Sequence, residues 1–245
     1  MEVRCLRKSE EDPWLDFVSS VFVGTPREYF YRHIHNDPDE DIFSHIFVAL
    51  ENANEAITRK DQIFGTLRIF QRSFYVLKQE YSAGGIGEVS VSPLHRRKGI
   101  ATVLLQRAIS HMKEGNPSPL PGTDQIFSSL HTGEAAPLYK SVGYSSTPLS
   151  FSIICLEEPV LDTQDNKLIC RPSNFSASDI SGMKHIHQEY CKNFVGCFAR
   201  NSDFYWENWV KQETPKMIIM ENMETKEVEA MLGATIQQEK DTGQE

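Results

Sequence analysis

The 245-residue sequence predicts a mixed α/β fold, and three observations predict it. Short strand-like runs alternate with amphipathic helical runs, the order that lays helices on a mixed sheet. Gly87-Glu88-Val89-Ser90-Val91-Ser92-Pro93 alternates β-branched and small residues and stops at a proline, as a strand end does. Across the basic turn Arg96-Arg97-Lys98-Gly99, the residues Ile100, Val103, Leu104, Ala108, Ile109 and Met112 then recur at helical spacing.

Taken in order, Val3 to Leu6 is a strand and Pro13 to Val23 a helix with Trp14, Phe17, Val18, Val21 and Phe22 on one face. A second helix starts at Pro26, which suits a first helical position, and carries Phe30 and Ile34. His45 to Leu50 and Ile63 to Phe70 are strands, Phe74 to Leu77 continues the sheet, and Ala83-Gly84-Gly85 is expected to turn. Beyond the basic-turn helix, a proline-rich loop covers 115–122 and a strand Ile126 to Leu130. A short helix from Gly133 to Ser141 ends at Gly143, and a further strand covers 150–156. Leu168 to Pro172, Met217 to Met220 and Ala230 to Ile236 are later strands. Between the first two lie a helix with Ile180, Met183, Ile186, His187 and Tyr190, and an aromatic cluster from Phe204 to Trp209.

Composition narrows the function classes. With 40% hydrophobic and 24% charged residues, the chain has ordinary globular values and enough length for one or two cores. A net charge of −9 argues against a nucleic-acid binder, which needs a basic face; it would suit a cationic acceptor, and solubility alone explains it equally well. No run has the length of a membrane span, and Met1-Glu2-Val3-Arg4 opens on a strand and not on a signal peptide. Five cysteines without C-x-x-C pairing fit reduced thiols in a cytoplasmic protein. His33-x-His35 and His185-x-His187 lack a ligand framework, so no metal is expected.

The turn at Gly99 has the makings of an anion site. Glycine allows close backbone approach, the first N–H groups of the helix lack internal acceptors, and three cations stand at the mouth. Neither a Walker A loop nor a G-x-G-x-x-G turn is present. Arg96-x-x-Gly99-x-Ala101 after a V-x-V-x-P strand resembles the Q/R-x-x-G-x-G/A signature of the GNAT N-acetyltransferases. That resemblance implies a GNAT fold over residues 1–157 and acetyl-CoA as co-substrate. Its pyrophosphate would lie against Arg96, Arg97, Lys98, Gly99, Ile100, Ala101 and Thr102. The pantetheine would lie along Val89, Ser90 and Val91, where the strand splays from its neighbour. The acceptor would be a primary amine, small-molecule or lysine-type, and a homo-oligomer is compatible with the family.

Direct transfer to an amine requires an acid for the leaving thiolate and a base for the amine. Leu138-Tyr139-Lys140-Ser141-Val142-Gly143-Tyr144 is similar to the family segment whose tyrosine hydroxyl meets the sulfur, which makes Tyr139 the candidate acid. The alternative is a core-facing tyrosine of a short helix. Glu88 is the candidate base, on the strand where many GNAT enzymes keep a glutamate; its alternative is a half-exposed strand carboxylate. Asp37, Asp39, Glu40 and Asp41 read first as a solvated acidic loop and second as a field for a cationic amine.

The later part of the chain repeats the opening. Sixty residues separate Cys5 from Gly65, and 63 separate Cys170 from Gly233, each interval running from strand through helices to a pair of strands. Two tandem folds of this kind resemble the Eis-type acetyltransferases, with residues 158–245 as a partial second GNAT-like domain. The Eis-type enzymes continue into a second phosphate turn and a further region, so the expectation is either a truncated or spliced product or a half-domain that survives by packing against the first domain. The rival function is a non-catalytic acyl-CoA-binding or scaffold protein descended from such an enzyme.

Overall fold

The computed structural model describes residues 1–114, 127–133, 135–147, 167–214 and 216–234. The expected loop at 115–122, strand at 150–156, domain boundary at 157/158 and polar tail at 237–245 lie outside the described residues. The chain forms two compact units, Met1–Ser152 with Val195–Ala199, and Ile153–Phe194 with Arg200–Glu245.

In the first unit, β1 (Glu2–Cys5), β2 (Ile46–Leu50), β3 (Gly65–Val76) and β4 (Gln79–Val91) pair antiparallel in that order. A parallel β5 (Phe127–Ser129) follows on β4. Helices α1 (Glu11–Val21) and α2 (Arg27–His35) precede β2, α3 (Ile100–Lys113) follows β4, and α4 (Ala136–Ser141) follows β5. Trp14, Leu15, Phe17 and Val18 of α1, with Phe30 and Ile34 of α2, pack with Ile46, Val48 and Leu50 on one face. On the other, Ile100, Leu104, Leu105, Ala108 and Met112 of α3 pack with Phe47, Ala49, Leu67 and Ile69. Strand β2 is therefore buried at every position, which is why it reads as an unbroken apolar run. The buried face of α3 includes Leu105, whereas the expected Val103 is 38% exposed.

The expected turn at Ala83-Gly84-Gly85 is not a turn. These residues run inside β4, paired with Arg72, Gln71 and Phe70 of β3 on one side and with β5 on the other. The hairpin reverses at Leu77-Lys78, both left-handed at φ 50° and 69°. That is the backbone sense a two-residue hairpin needs, carried here by residues without the usual Asn-Gly signal. A short strand that sequence reasoning missed, β7 (Cys197–Phe198), pairs with Tyr75 and Phe74 of β3.

In the second unit, β6 (Leu168–Pro172), β8 (Lys216–Asn222) and β9 (Val228–Ala234) form an antiparallel sheet. Helix α5 (Ala177–Cys191) follows β6, and Ser176 caps it by accepting from the Asp179 N–H. The core holds Ile180, Met183, Trp206, Val210, Met217 and Ile219. Tyr190, expected on the apolar face, is 62% exposed. Each unit therefore runs strand, helices, strand, strand in one sheet order. Each also joins an arginine of its first strand to a buried carboxylate near the following helix, Arg4 to Glu10 and Arg171 to Asp179, both at 2.7 Å.

Candidate active site

Strands β3 and β4 lose register once. Thr66 faces Ser90 and Arg68 faces Gly87, so Leu67 stands opposite both Glu88 and Val89. The extra residue makes a β-bulge. Glu88 takes the left-handed conformation, φ 54°, which costs a non-glycine residue about 1 kcal/mol and is kept where the surroundings impose it. Gly87 beside it is required sterically, since a Cβ there would meet the Phe70 ring at 2.6 Å. The Glu88 side chain is 6% exposed, enclosed where sequence reasoning allowed a half-exposed carboxylate.

The parallel ladder between β4 and β5 spans only Ala83–Gly85. Among the described residues no strand pairs with that edge of β4 from Glu88 to Val91. Val89 and Val91 turn side chains toward the α3 core, and Ser90 is 4% exposed. Ser92 to His95 then carry the chain to the basic turn, where Arg96, Arg97, Lys98 and Gly99 are all exposed.

Gly99 adopts φ 77° as the N-cap of α3 and supplies no side-chain cap. The first helical bond is Val103 N–H to the Gly99 carbonyl, so the N–H groups of Ile100, Ala101 and Thr102 have no acceptor within the helix. Nothing lies within 4 Å of where a Gly99 Cβ would point. Three free donors, the positive end of a 14-residue helix and three nearby cations can hold a diphosphate.

Tyr139 sits on α4, which ends as Gly143 turns left-handed at φ 104°. It is half-buried, packs with Val89, Val91 and Leu138 on the core around α3, and meets Tyr144 edge-on at 6.1 Å. Burial, and then Tyr144, push its pKa up, so the hydroxyl keeps its proton at neutral pH. Among the described residues that hydroxyl donates to no group. Tyr144 is engaged differently: Ser128 Oγ donates to the Gly84 carbonyl at 2.7 Å, leaving Tyr144 to donate to Ser128 at 2.6 Å.

A buried charge group lies against the bulge. Asp37 accepts from Arg68 at 2.8 Å and from Arg72 at 2.7 Å, and Glu88 lies 3.7 Å from Arg68 and 3.5 Å from His33. Burial alone would raise the Asp37 carboxyl, but the Arg72 and Arg68 charges outweigh it and hold it below the ordinary carboxylate range. Asp39 joins His45 at 2.7 Å. The acidic run is thus no simple solvated loop: Asp37 and Asp39 are committed to buried partners, and only Glu40 and Asp41 are exposed. Sequence reasoning missed Arg68, although an arginine inside Thr66-Leu67-Arg68-Ile69-Phe70 signals an inward charge that needs a partner.

Among the described residues no group of three or more His, Cys, Asp or Glu is placed to hold a metal, and no helix is long and apolar enough to cross a membrane. Residues 2–146 match the family model of the GNAT acetyltransferase domain. The chain belongs to the GNAT acetyltransferase family. GNAT enzymes use acetyl-CoA as co-substrate. Three solved structures share the fold at low identity. A GCN5-related N-acetyltransferase of Anabaena variabilis is 15% identical, with a TM-score of 0.61 over 89% of this chain and 50% of that one. A conserved Enterococcus faecalis protein is 15% identical, with a TM-score of 0.62 over 96% and 55%. Eis1 of Mycobacterium abscessus is 16% identical, with a TM-score of 0.57 over 91% and 51%. The GNAT chain thus spans about half the length of these structures. No curated protein matches it.

Proposed function

We propose that the protein is an acetyl-CoA-dependent N-acetyltransferase acting directly on a primary amine. One observation carries the reading: the bulge at Glu88, the β4 edge that no described strand pairs and the open turn at Gly99 follow one another within Gly87–Thr102. The N–H groups of Ile100, Ala101 and Thr102 bind the diphosphate, helped by Arg96, Arg97 and Lys98. The backbone of Val89, Ser90 and Val91 aligns the pantetheine and presents N–H dipoles to the thioester oxygen. Glu88 takes the proton that the amine nitrogen gives up as the C–N bond forms. Tyr139 gives its hydroxyl proton to the sulfur as the C–S bond breaks.

Residues 158–245 form, in this reading, a partial second GNAT-like domain. Its support is the shared sheet order and the matching arginine–carboxylate pairs.

Tyr139→Phe tests the assignment, because it keeps the ring and deletes only the hydroxyl. Acetyl-CoA consumption with one accepted amine is expected to fall roughly 10²–10⁴-fold, with CoA affinity unchanged. Equal rates would remove Tyr139 from the mechanism. A parent chain that binds CoA but consumes no acetyl-CoA with any amine would favour the non-catalytic acyl-CoA-binding reading.

A further inference from the structure

Arg68 has no exposure to solvent, on a strand whose neighbours are apolar. Removing a guanidinium from water is expensive, and an apolar residue of similar volume would ordinarily pack there as well or better. Its contacts have a direction. Nη2 donates to Asp37 at 2.8 Å and Nη1 to the His33 carbonyl at 3.0 Å, which anchors the fork to α2 and the segment after it. The Phe70 ring covers the guanidinium carbon at 4.0 Å. The same Nη1 faces Glu88 Oε1 at 3.7 Å, too long for a hydrogen bond and well within reach of a charge in a dry site.

Glu88 complements this arrangement. Both its carboxylate oxygens are buried, and neither accepts a hydrogen bond among the described residues. Its lone pairs are therefore unspent, and the groups that face it are His33 Nδ1 at 3.5 Å and the Arg68 guanidinium at 3.7 Å, the latter fixed in place by Asp37. Arg72 shares Asp37, so two cations balance two anions around the bulge.

We propose that Arg68, anchored by Asp37, is a positioning residue that holds the Glu88 carboxylate aimed within the β4 bulge. This rests on the reading of Glu88 as the base. Arg68 itself touches no reacting atom.

The test is a double-mutant cycle on kcat, with acetyl-CoA and one accepted amine, using Glu88→Gln, Arg68→Met and both together. Arg68→Met is expected to lower kcat roughly 10–10²-fold through misplacement of the base, with KM for acetyl-CoA unchanged. In the Glu88→Gln background the same change is expected to alter kcat less than about twofold, because there is no base left to position. Arg68→Lys, which restores the charge, is expected to recover part of the rate. Losses that multiply in the double variant would overturn the positioning role while leaving Glu88 as base. An unchanged kcat in Glu88→Gln alone would overturn the base reading, and the positioning role with it. If Arg68→Met does not fold, the cycle is run with the near-isosteric Asp37→Asn, for which the same coupling is expected and multiplicative losses are equally decisive.

Discussion

Gly99 shows how much one residue can decide. Its left-handed backbone and missing side chain leave three N–H groups open at the start of α3. Gly99→Asp would meet no clash, since the space beside it is empty, but an L side chain in this left-handed conformation is strained by about 1 kcal/mol. The introduced carboxylate would bring a negative charge to the open N–H groups where the ligand's phosphate would lie. The expected result is a modest loss of thermal stability with CoA affinity reduced by about tenfold or more, equivalent to about 1.4 kcal/mol in calorimetric titration. Arg97→Ala removes only an exposed, screened charge and should be milder. Equal CoA affinity for Gly99→Asp and the parent would remove the turn from the phosphate site. The turn was legible in sequence because its meaning is local. The Asp37–Arg68–Glu88 group was not, because its members lie 31 and 20 positions apart and meet only when β3, β4 and α2 come together.

Among the elements, α5 carries the clearest pH dependence. Burial, and then the Arg200 charge, pull His187 down to about 4, against the edge of Trp206 at 5.9 Å. An unfolded histidine titrates near about 6.5, so between those values the unfolded chain binds a proton that the folded unit does not. Stability of the second unit is therefore expected to fall as pH drops from about 6.5 toward about 4, and this contribution levels off below that range. Hydrogen exchange of peptides from α5 across this range would read it, and His187→Gln should flatten the slope. An unchanged slope in that variant would mean another group governs α5. Strand β4 shows the limit of element-level reading. Its glycines look like a turn by composition, yet they serve close packing against Phe70 and β5.

For the whole molecule, carboxylates set the acid limit. Arg171 hydrogen bonds lower Asp179; in Glu10 and Asp37 burial acts upward and the arginines outweigh it. A carboxyl held below its unfolded value, about 4, contributes stability above that pH and loses it as pH falls through the lowered folded value. Both units are expected to lose stability steeply below about pH 4, seen as a falling urea midpoint, because each has its own buried carboxylate paired with an arginine. Asp179→Asn should lower the midpoint of the second unit at neutral pH and weaken its acid dependence. A parallel shift at every pH would contradict the assignment.

By itself the sequence determined the α/β class, the strand–turn–helix at Gly99, the family resemblance and the candidates Glu88 and Tyr139. Each is written in local periodicity, a short motif or a capping residue, which act over a few positions. Only the tertiary structure decided the hairpin at Leu77-Lys78, the bulge that turns Glu88 inward, the burial of Asp37 and the arginine beside the base. Those depend on register between strands and on which charges share a dry interior. Register is a property of pairs of segments, and charge pairing pays its desolvation only once the chain has closed around it.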